Sequence, residues 1–241
     1  METVFKSAIV RGIRTHASPC VGVSAELGTK HREVAHHASM PWAKVPDFIA
    51  SLQADGGRRQ RTTLLALEFL ILTATRSGET RGALWAEIDV STATWEIPKE
   101  RMKARTAHRI PLSHRCLEIL NEARFLTPDS KLVFEAAKPG RSLSDMTFTK
   151  LLRNLKLPAT AHGFRSSFKV WAAEEAHAQH EVSEAALAHA TPSKVVAAYL
   201  RTDFFDERKQ LMNQWSAFCS GKARPRPIAP APLLDSMQQN G

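Results

Sequence analysis

Thr62-Thr63-Leu64-Leu65-Ala66-Leu67-Glu68-Phe69-Leu70-Ile71-Leu72-Thr73 runs directly into Ala74-Thr75-Arg76-Ser77-Gly78-Glu79. Over 62–73 the side chains are apolar in nearly every direction, with Glu68 as the one charge. A helix that is apolar all round has to be buried, so this run predicts the centre of a globular domain. It is too short to cross a bilayer. The polar segment that follows reads as a junction. Ser77 suits a helix N-cap and Glu79 the first turn of a second helix, expected to reach about Trp85.

Working downstream, three short β-type runs follow at 88–90, 94–97 and 108–112. Trp95 and Ile97 alternate with Glu96, which predicts a small antiparallel sheet with one covered face. The rest is helical in pattern, at 114–124, 144–155, 163–175 and 182–188. Thr191-Pro192 offers an N-cap and a proline at the first helical position for a helix to about Leu200. A last helix, 203–218, carries Leu211, Trp215 and Phe218 at i, i+4 and i+7. Upstream, order begins near Met40-Pro41-Trp42, with a short helix at 45–52 and a loop at Asp55-Gly56-Gly57. Residues 1–38 lack periodicity and read as a linker or a remnant segment. Residues 221–241, rich in proline and poor in large apolar side chains, read as a disordered tail. The fold class is therefore α+β, mostly α-helical, with one domain at 39–220 and one small three-stranded antiparallel sheet.

Bulk properties narrow the function. The 241 residues, 43% hydrophobic and 24% charged, can bury a full core. Thirty-three Lys and Arg against 24 Asp and Glu give a net charge of +9, with a pI near 9.8. That excess attracts polyanions, of which nucleic acid is the usual one. Cys20, Cys116 and Cys219 are odd in number and form no CxxC, which argues against a disulfide framework or a cysteine zinc site. The N-terminus lacks the basic start and apolar core of a signal peptide. A reduced cytoplasm, without membrane association, is the expected setting.

Six polar residues stand where a purely structural chain would rarely need them. Arg76 follows the most apolar helix. Lys103 lies in the basic connection 100–105 between two expected strands. His162 and Arg165 are three apart and share a helical face, opposite Phe164, Phe168 and Trp171. His189 closes the run Ala185-Ala186-Leu187-Ala188, and Tyr199, the only tyrosine, follows ten residues later. Each has a plain alternative. The helix dipole favours an arginine at a C-terminus. His-x-x-Arg arises by chance in basic helices, Lys103 alone looks like a solvated loop lysine, His189 like a helix-end histidine, and Tyr199 like a core aromatic. His177 and His180, with His36-His37, match no zinc spacing. Glu79 fits a brace for Arg76 or for the helix start better than an acid.

Taken in order, Thr73–Glu79, Arg101-Met102-Lys103, His162-Gly163-Phe164-Arg165, Leu187-Ala188-His189 and Ala198-Tyr199-Leu200-Arg201 resemble the catalytic series of the tyrosine recombinases. That series is Arg, Lys, His-x-x-Arg, His or Trp, and Tyr, and all six positions are filled. Trp95-Glu96-Ile97-Pro98 and His108-Arg109-Ile110-Pro111-Leu112-Ser113 are similar to integrases of prophages and genomic islands. The resemblance spans about 35–219 and implies the tyrosine-recombinase catalytic fold. It implies that Tyr199 attacks a DNA phosphodiester to give a 3′-phosphotyrosine. Arg76 and Arg165 would hold the phosphate oxygens, His162 and His189 would add hydrogen bonds or move protons, and Lys103 would protonate the departing 5′ oxygen.

With so many fixed cations a divalent metal is unnecessary, and no cofactor is expected. The implied partner is double-stranded DNA at attachment sites. The protein would be a monomer when free and a homotetramer on DNA, in the bacterial cytoplasm at the nucleoid. Integrases of this type usually carry arm-binding and core-binding domains ahead of the catalytic one, so a truncated enzyme is expected. Two competing readings are a type IB topoisomerase and a catalytically incompetent integrase remnant that only binds DNA.

Overall fold

The computed structural model describes residues 2–21, 23, 38–54, 61–189 and 203–221. The chain divides into two units, 1–36 and 37–241. The first holds helix α1 (Glu2–Val10), none of whose residues is buried. An ion pair of Lys6 with Glu2 at 2.8 Å spans one helical turn. The segment's weak periodicity gave no expectation of this helix.

The second unit begins with a 3-10 turn, Trp42–Lys44, and α2 (Val45–Ala54). Then come α3 (Arg61–Thr73), α4 (Ser77–Arg81), a second 3-10 turn at Trp85–Glu87, and the strands β1 (Ile88–Asp89), β2 (Thr94–Ile97) and β3 (His108–Pro111). Helices α5 (His114–Leu126), α6 (Thr147–Asn154), α7 (Gly163–Glu174), α8 (His180–Ala186) and α9 (Phe205–Cys219) complete it. The sheet is antiparallel in the order β1-β2-β3, with Trp95 opposite Ile110 and Ile97 opposite His108. Trp95 and Ile97 are buried and Glu96 is exposed, so one face is covered, as the alternation predicts.

Helix α3 occupies the centre. Every residue from Leu64 to Thr73 is buried, and α2, α5, α6, α7 and α9 all pack against it. Glu68 is accommodated by Arg115 of α5, which donates Nε and Nη2 to its two carboxylate oxygens at 2.7 and 2.9 Å. The stripe on α9 closes on its own domain: Leu211 and Trp215 are fully buried, and the Trp215 indole donates to the Ile71 carbonyl at 2.8 Å. Trp215 also meets Trp171 with ring centroids 4.9 Å apart and Phe168 at 5.6 Å. Removing such a buried aromatic side chain costs about 3–5 kcal/mol.

Two boundaries differ from expectation for visible reasons. The helix after Arg76 stops at Arg81, short of Trp85, because the backbone beyond Gly82 pairs with another segment. Val133 N–H donates to the Ala83 carbonyl and Trp85 N–H to the Lys131 carbonyl. The helix expected from 144 starts at Thr147, after a turn in which Thr147 N–H donates to the Ser144 carbonyl. The helix expected at 191–200, Tyr199 within it, and the tail beyond Gly221 lie outside the described residues.

Candidate active site

The site is built where α3 ends. Ala74 turns the chain with a left-handed backbone, φ 51°, and Arg76 is extended. Glu79, at the third position of α4, reaches back so that its carboxylate accepts from the Arg76 backbone N–H at 2.7 Å and from Arg76 Nη1 at 2.8 Å. The carboxylate thus satisfies an otherwise unpaired helix-start donor and aims the guanidinium. Glu79 braces Arg76 as the sequence suggests. The other arm of Arg76, Nη2, donates to the Ala188 carbonyl at 3.2 Å.

Arg165 comes from the first turn of α7. The backbone of 38–40 lies against this turn so closely that a Cβ on Gly163 would fall 2.1 Å from the Ala38 carbonyl oxygen. Only glycine fits, and the contact fixes where α7 begins. Ser167 Oγ donates to the Met40 carbonyl, and Thr160 N–H donates to that of Ala38 at 3.0 Å. Thus anchored, Arg165 is 4% exposed. Its Nη1 donates to the Ala74 carbonyl, and its Nη2 to the Leu187 carbonyl at 2.6 Å, within 3.2 Å of His189 Nε2. Its Nε is buried and meets no acceptor among the described residues. Burial, and then the nearby Arg76 cation, push the Arg165 guanidinium down to about 10.

Arg76, Arg165 and His189 therefore converge on the 187–189 segment, itself turned by Ala188 at φ 47°. Left-handed backbone costs an L-residue about 1 kcal/mol or more, and here two such alanines, 74 and 188, present carbonyls to the two arginines. His162 is exposed at the residue before α7, and its carbonyl accepts from Arg165 N–H at 3.1 Å. Lys103 is exposed in the β2–β3 connection. The base of that connection is tied to the site, since Arg101 pairs with Glu87 and donates Nη2 to the Glu79 carbonyl at 2.6 Å. Tyr199 lies outside the described residues.

Three participants carried no sequence signal of their own. Glu184 accepts from His189 Nδ1 at 3.0 Å, and Lys169 pairs with the same carboxylate at 2.7 Å. His108 on β3 donates to the Ala186 backbone, and burial, aided by Arg208, pushes it down to about 4. Lys169 is one helical turn beyond Arg165, a spacing legible only once Arg165 is placed. Among the described residues no group of three or more His, Cys, Asp or Glu is placed to hold a metal. Among them, too, no helix is long and apolar enough to cross a membrane.

The family described as "Phage integrase family" matches residues 44–205. The integrase of Enterobacteria phage P4 is 28% identical over 220 residues, covering 84% of this chain and 49% of that protein. Prophage integrase IntZ of Escherichia coli (strain K12) is 30% identical over 215 residues, covering 88% and 52%. The chain spans about half the length of these curated relatives. Among solved structures, a lambda integrase (75–356) dimer bound to a COC′ core site matches with a TM-score of 0.55 at 19% identity, over 84% of this chain and 70% of that one. The integrase from mycobacterium phage Brujita matches with a TM-score of 0.54 at 18% identity, over 88% and 68%. These likenesses establish the fold.

Proposed function

The chain belongs to the phage integrase family, and from that premise we propose that it cleaves and rejoins duplex DNA by transesterification through Tyr199. The observation that carries this reading is the convergence of Arg76, Arg165 and His189, with a buried guanidinium Nε that meets no acceptor among the described residues. Among the described residues this buried cation meets carbonyls and an imidazole, the surroundings of an anion site. A phosphodiester supplies the missing charge, and its transition state supplies more of it, which two fixed guanidiniums stabilise without reorganising.

In the proposed step the Tyr199 phenolic oxygen attacks phosphorus as its proton leaves to an imidazole, His162 or His189. The bond to the 5′ oxygen breaks, and Lys103 gives that oxygen a proton. The products are a 3′-phosphotyrosine and a 5′-hydroxyl end. The link conserves the energy of the phosphodiester, so attack by a 5′-hydroxyl restores the DNA without a nucleotide cofactor. Attachment-site DNA is the proposed partner, in the cytoplasm at the nucleoid. A tetramer on two duplexes is proposed by analogy with the lambda integrase tetramer bound to a Holliday junction.

A nicked suicide substrate tests the reading, because the short cleaved strand diffuses away and traps the intermediate. Wild type is expected to give a covalent protein–DNA adduct. Tyr199→Phe is expected to give none, while DNA binding stays near wild type. An adduct that persists in Tyr199→Phe would overturn the assignment of the nucleophile. Salt-sensitive DNA binding with no wild-type adduct would favour a binding module instead.

A further inference from the structure

His189 is the middle of a chain of four polar groups: Lys169, Glu184, His189 and Arg165. Lys169 Nζ lies 2.7 Å from one Glu184 oxygen, and the other Glu184 oxygen is 3.0 Å from His189 Nδ1. His189 Nε2 is 3.2 Å from Arg165 Nη2. The donors and acceptors in this chain are chemically forced. A carboxylate paired with an ammonium can only accept, so Nδ1 carries the proton. A guanidinium can only donate, so Nε2 presents its lone pair. That assignment holds the ring in one tautomer, with Nε2 turned to the Arg165 guanidinium.

Other contacts brace the arrangement. Lys169 also donates to Ser183 Oγ at 2.7 Å, beside His180 Nδ1 at 3.4 Å, so its ammonium is held at the start of α8. The His189 backbone N–H donates to the Glu184 carbonyl at 3.1 Å, which fixes the ring's origin relative to the carboxylate. Burial works against the Glu184 charge, but the hydrogen bonds from Lys169 and His189 outweigh it and hold the carboxyl below its ordinary range.

We infer that Glu184, oriented by Lys169, is a positioning residue that sets the tautomer and ring orientation of His189, and so aims Nε2 at a bound phosphate. The inference rests on the proposed reading of the site. When a phosphodiester enters, Arg165 Nη2 gains a new acceptor and Nε2 is released. Glu184 keeps Nδ1–H engaged, so Nε2 stays turned toward the phosphate. A carboxylate behind an imidazole acts in this way in catalytic triads and metal sites. The charged and titratable groups around His189 are Glu184 on α8, Arg165 and Lys169 on α7, Arg76 with Glu79 at α4, and His108 on β3, bonded to Ala186. Among them only Glu184 touches Nδ1.

The test uses the whole chain with isotope-labelled histidine, first without DNA. In wild type the His189 ring nitrogens should report the Nδ1–H tautomer at neutral pH. Glu184→Gln should scramble that tautomer, since a neutral amide can donate to Nδ1 as well as accept from it. Glu184→Asp, which keeps the carboxylate, should restore most of the tautomer preference. On the suicide substrate, adduct formation should fall in Glu184→Gln and recover in Glu184→Asp, while DNA binding stays near wild type. A His189 tautomer unchanged in Glu184→Gln would overturn the inference. A wild type that shows the tautomer but forms no adduct would instead sink the catalytic reading.

Discussion

Two arginines press on the central helix, and they are treated in opposite ways. Arg115, against the middle of α3, meets the Glu68 carboxylate through two of its nitrogens and Glu118 through a third at 3.0 Å. These hydrogen bonds outweigh burial and push the Arg115 guanidinium up. Arg165, at the end of α3, meets two carbonyls and a histidine, and burial pushes it down. A buried charge left unmatched costs several kcal/mol more than a matched one. Arg115 is therefore a structural cation that completes its own neutralisation. Among the described residues Arg165 has no carboxylate partner of its own, as the proposed phosphate-binding role requires.

The comparison breaks most sharply on exchanging each arginine for methionine. Arg165→Met is expected to reduce adduct formation on the order of 10²–10³-fold, by analogy with removing one oxyanion donor. Its stability should hold or rise, because an uncompensated buried charge has gone. Arg115→Met should do the reverse. It leaves Glu68, 2% exposed, without its main partner, and should cost about 3–5 kcal/mol of stability. Adduct formation at a temperature where that variant is folded should stay within a few-fold of wild type. Thermal unfolding and the suicide substrate measure both columns. If the two variants lose stability equally, the distinction between a matched and an unmatched cation fails.

A smaller effect comes from His108, a second interior base. Its folded value, about 4, lies below the ordinary 6.5. The neutral form is thus the one the fold prefers. The stability this provides is fully present above pH 6.5 and is lost as the pH falls toward 4. At about 1.4 kcal/mol per pH unit, the loss is on the order of 3 kcal/mol at most. The depressed carboxyls Glu122, Glu184 and Asp203 lose their contribution lower, as they protonate below their ordinary 3.8–4.5. Denaturant unfolding between pH 6.5 and 5 therefore reports His108 by difference from a variant. His108→Gln should flatten the slope there, and an unchanged slope would remove His108 from the account.

The same contrast explains what the sequence could disclose. The all-round apolar run at 62–73 announced the central helix, and the alternation around Trp95 announced the covered sheet. Both are periodic signals, which burial imposes along a chain. Arg76, Arg165 and His189 were legible through the family order, and their convergence follows from where α3, α7 and the 187–189 turn meet. Glu184, Lys169 and His108 were not legible. Their roles depend on contacts across elements, such as a carboxylate in α8 between an ammonium in α7 and an imidazole beyond α8. No spacing rule along one element encodes such a contact. The end of α4 was missed for a related reason: residues 83–85 pair with 131–133, and that pairing overrides local helix preference. Among the described residues Arg165 Nε meets no acceptor, a fact about surroundings that only the folded chain reveals.

The smallest effect tests the unmatched cation without DNA. If Arg165 with Arg76 forms an anion site, inorganic sulfate or phosphate should bind the folded chain and stabilise it by mass action. At ten times its Kd a single anion contributes about 1.4 kcal/mol. For a domain of this size that raises Tm by about 3–5 °C. Chloride at matched ionic strength is the control, because general screening affects every surface charge alike. The stabilisation should vanish in Arg165→Met and survive in Arg115→Met, whose cation already has its carboxylates. A sulfate effect of equal size in wild type and Arg165→Met would place the anion elsewhere on this basic surface. The buried guanidinium would then be a structural cation like Arg115, satisfied by carbonyls alone.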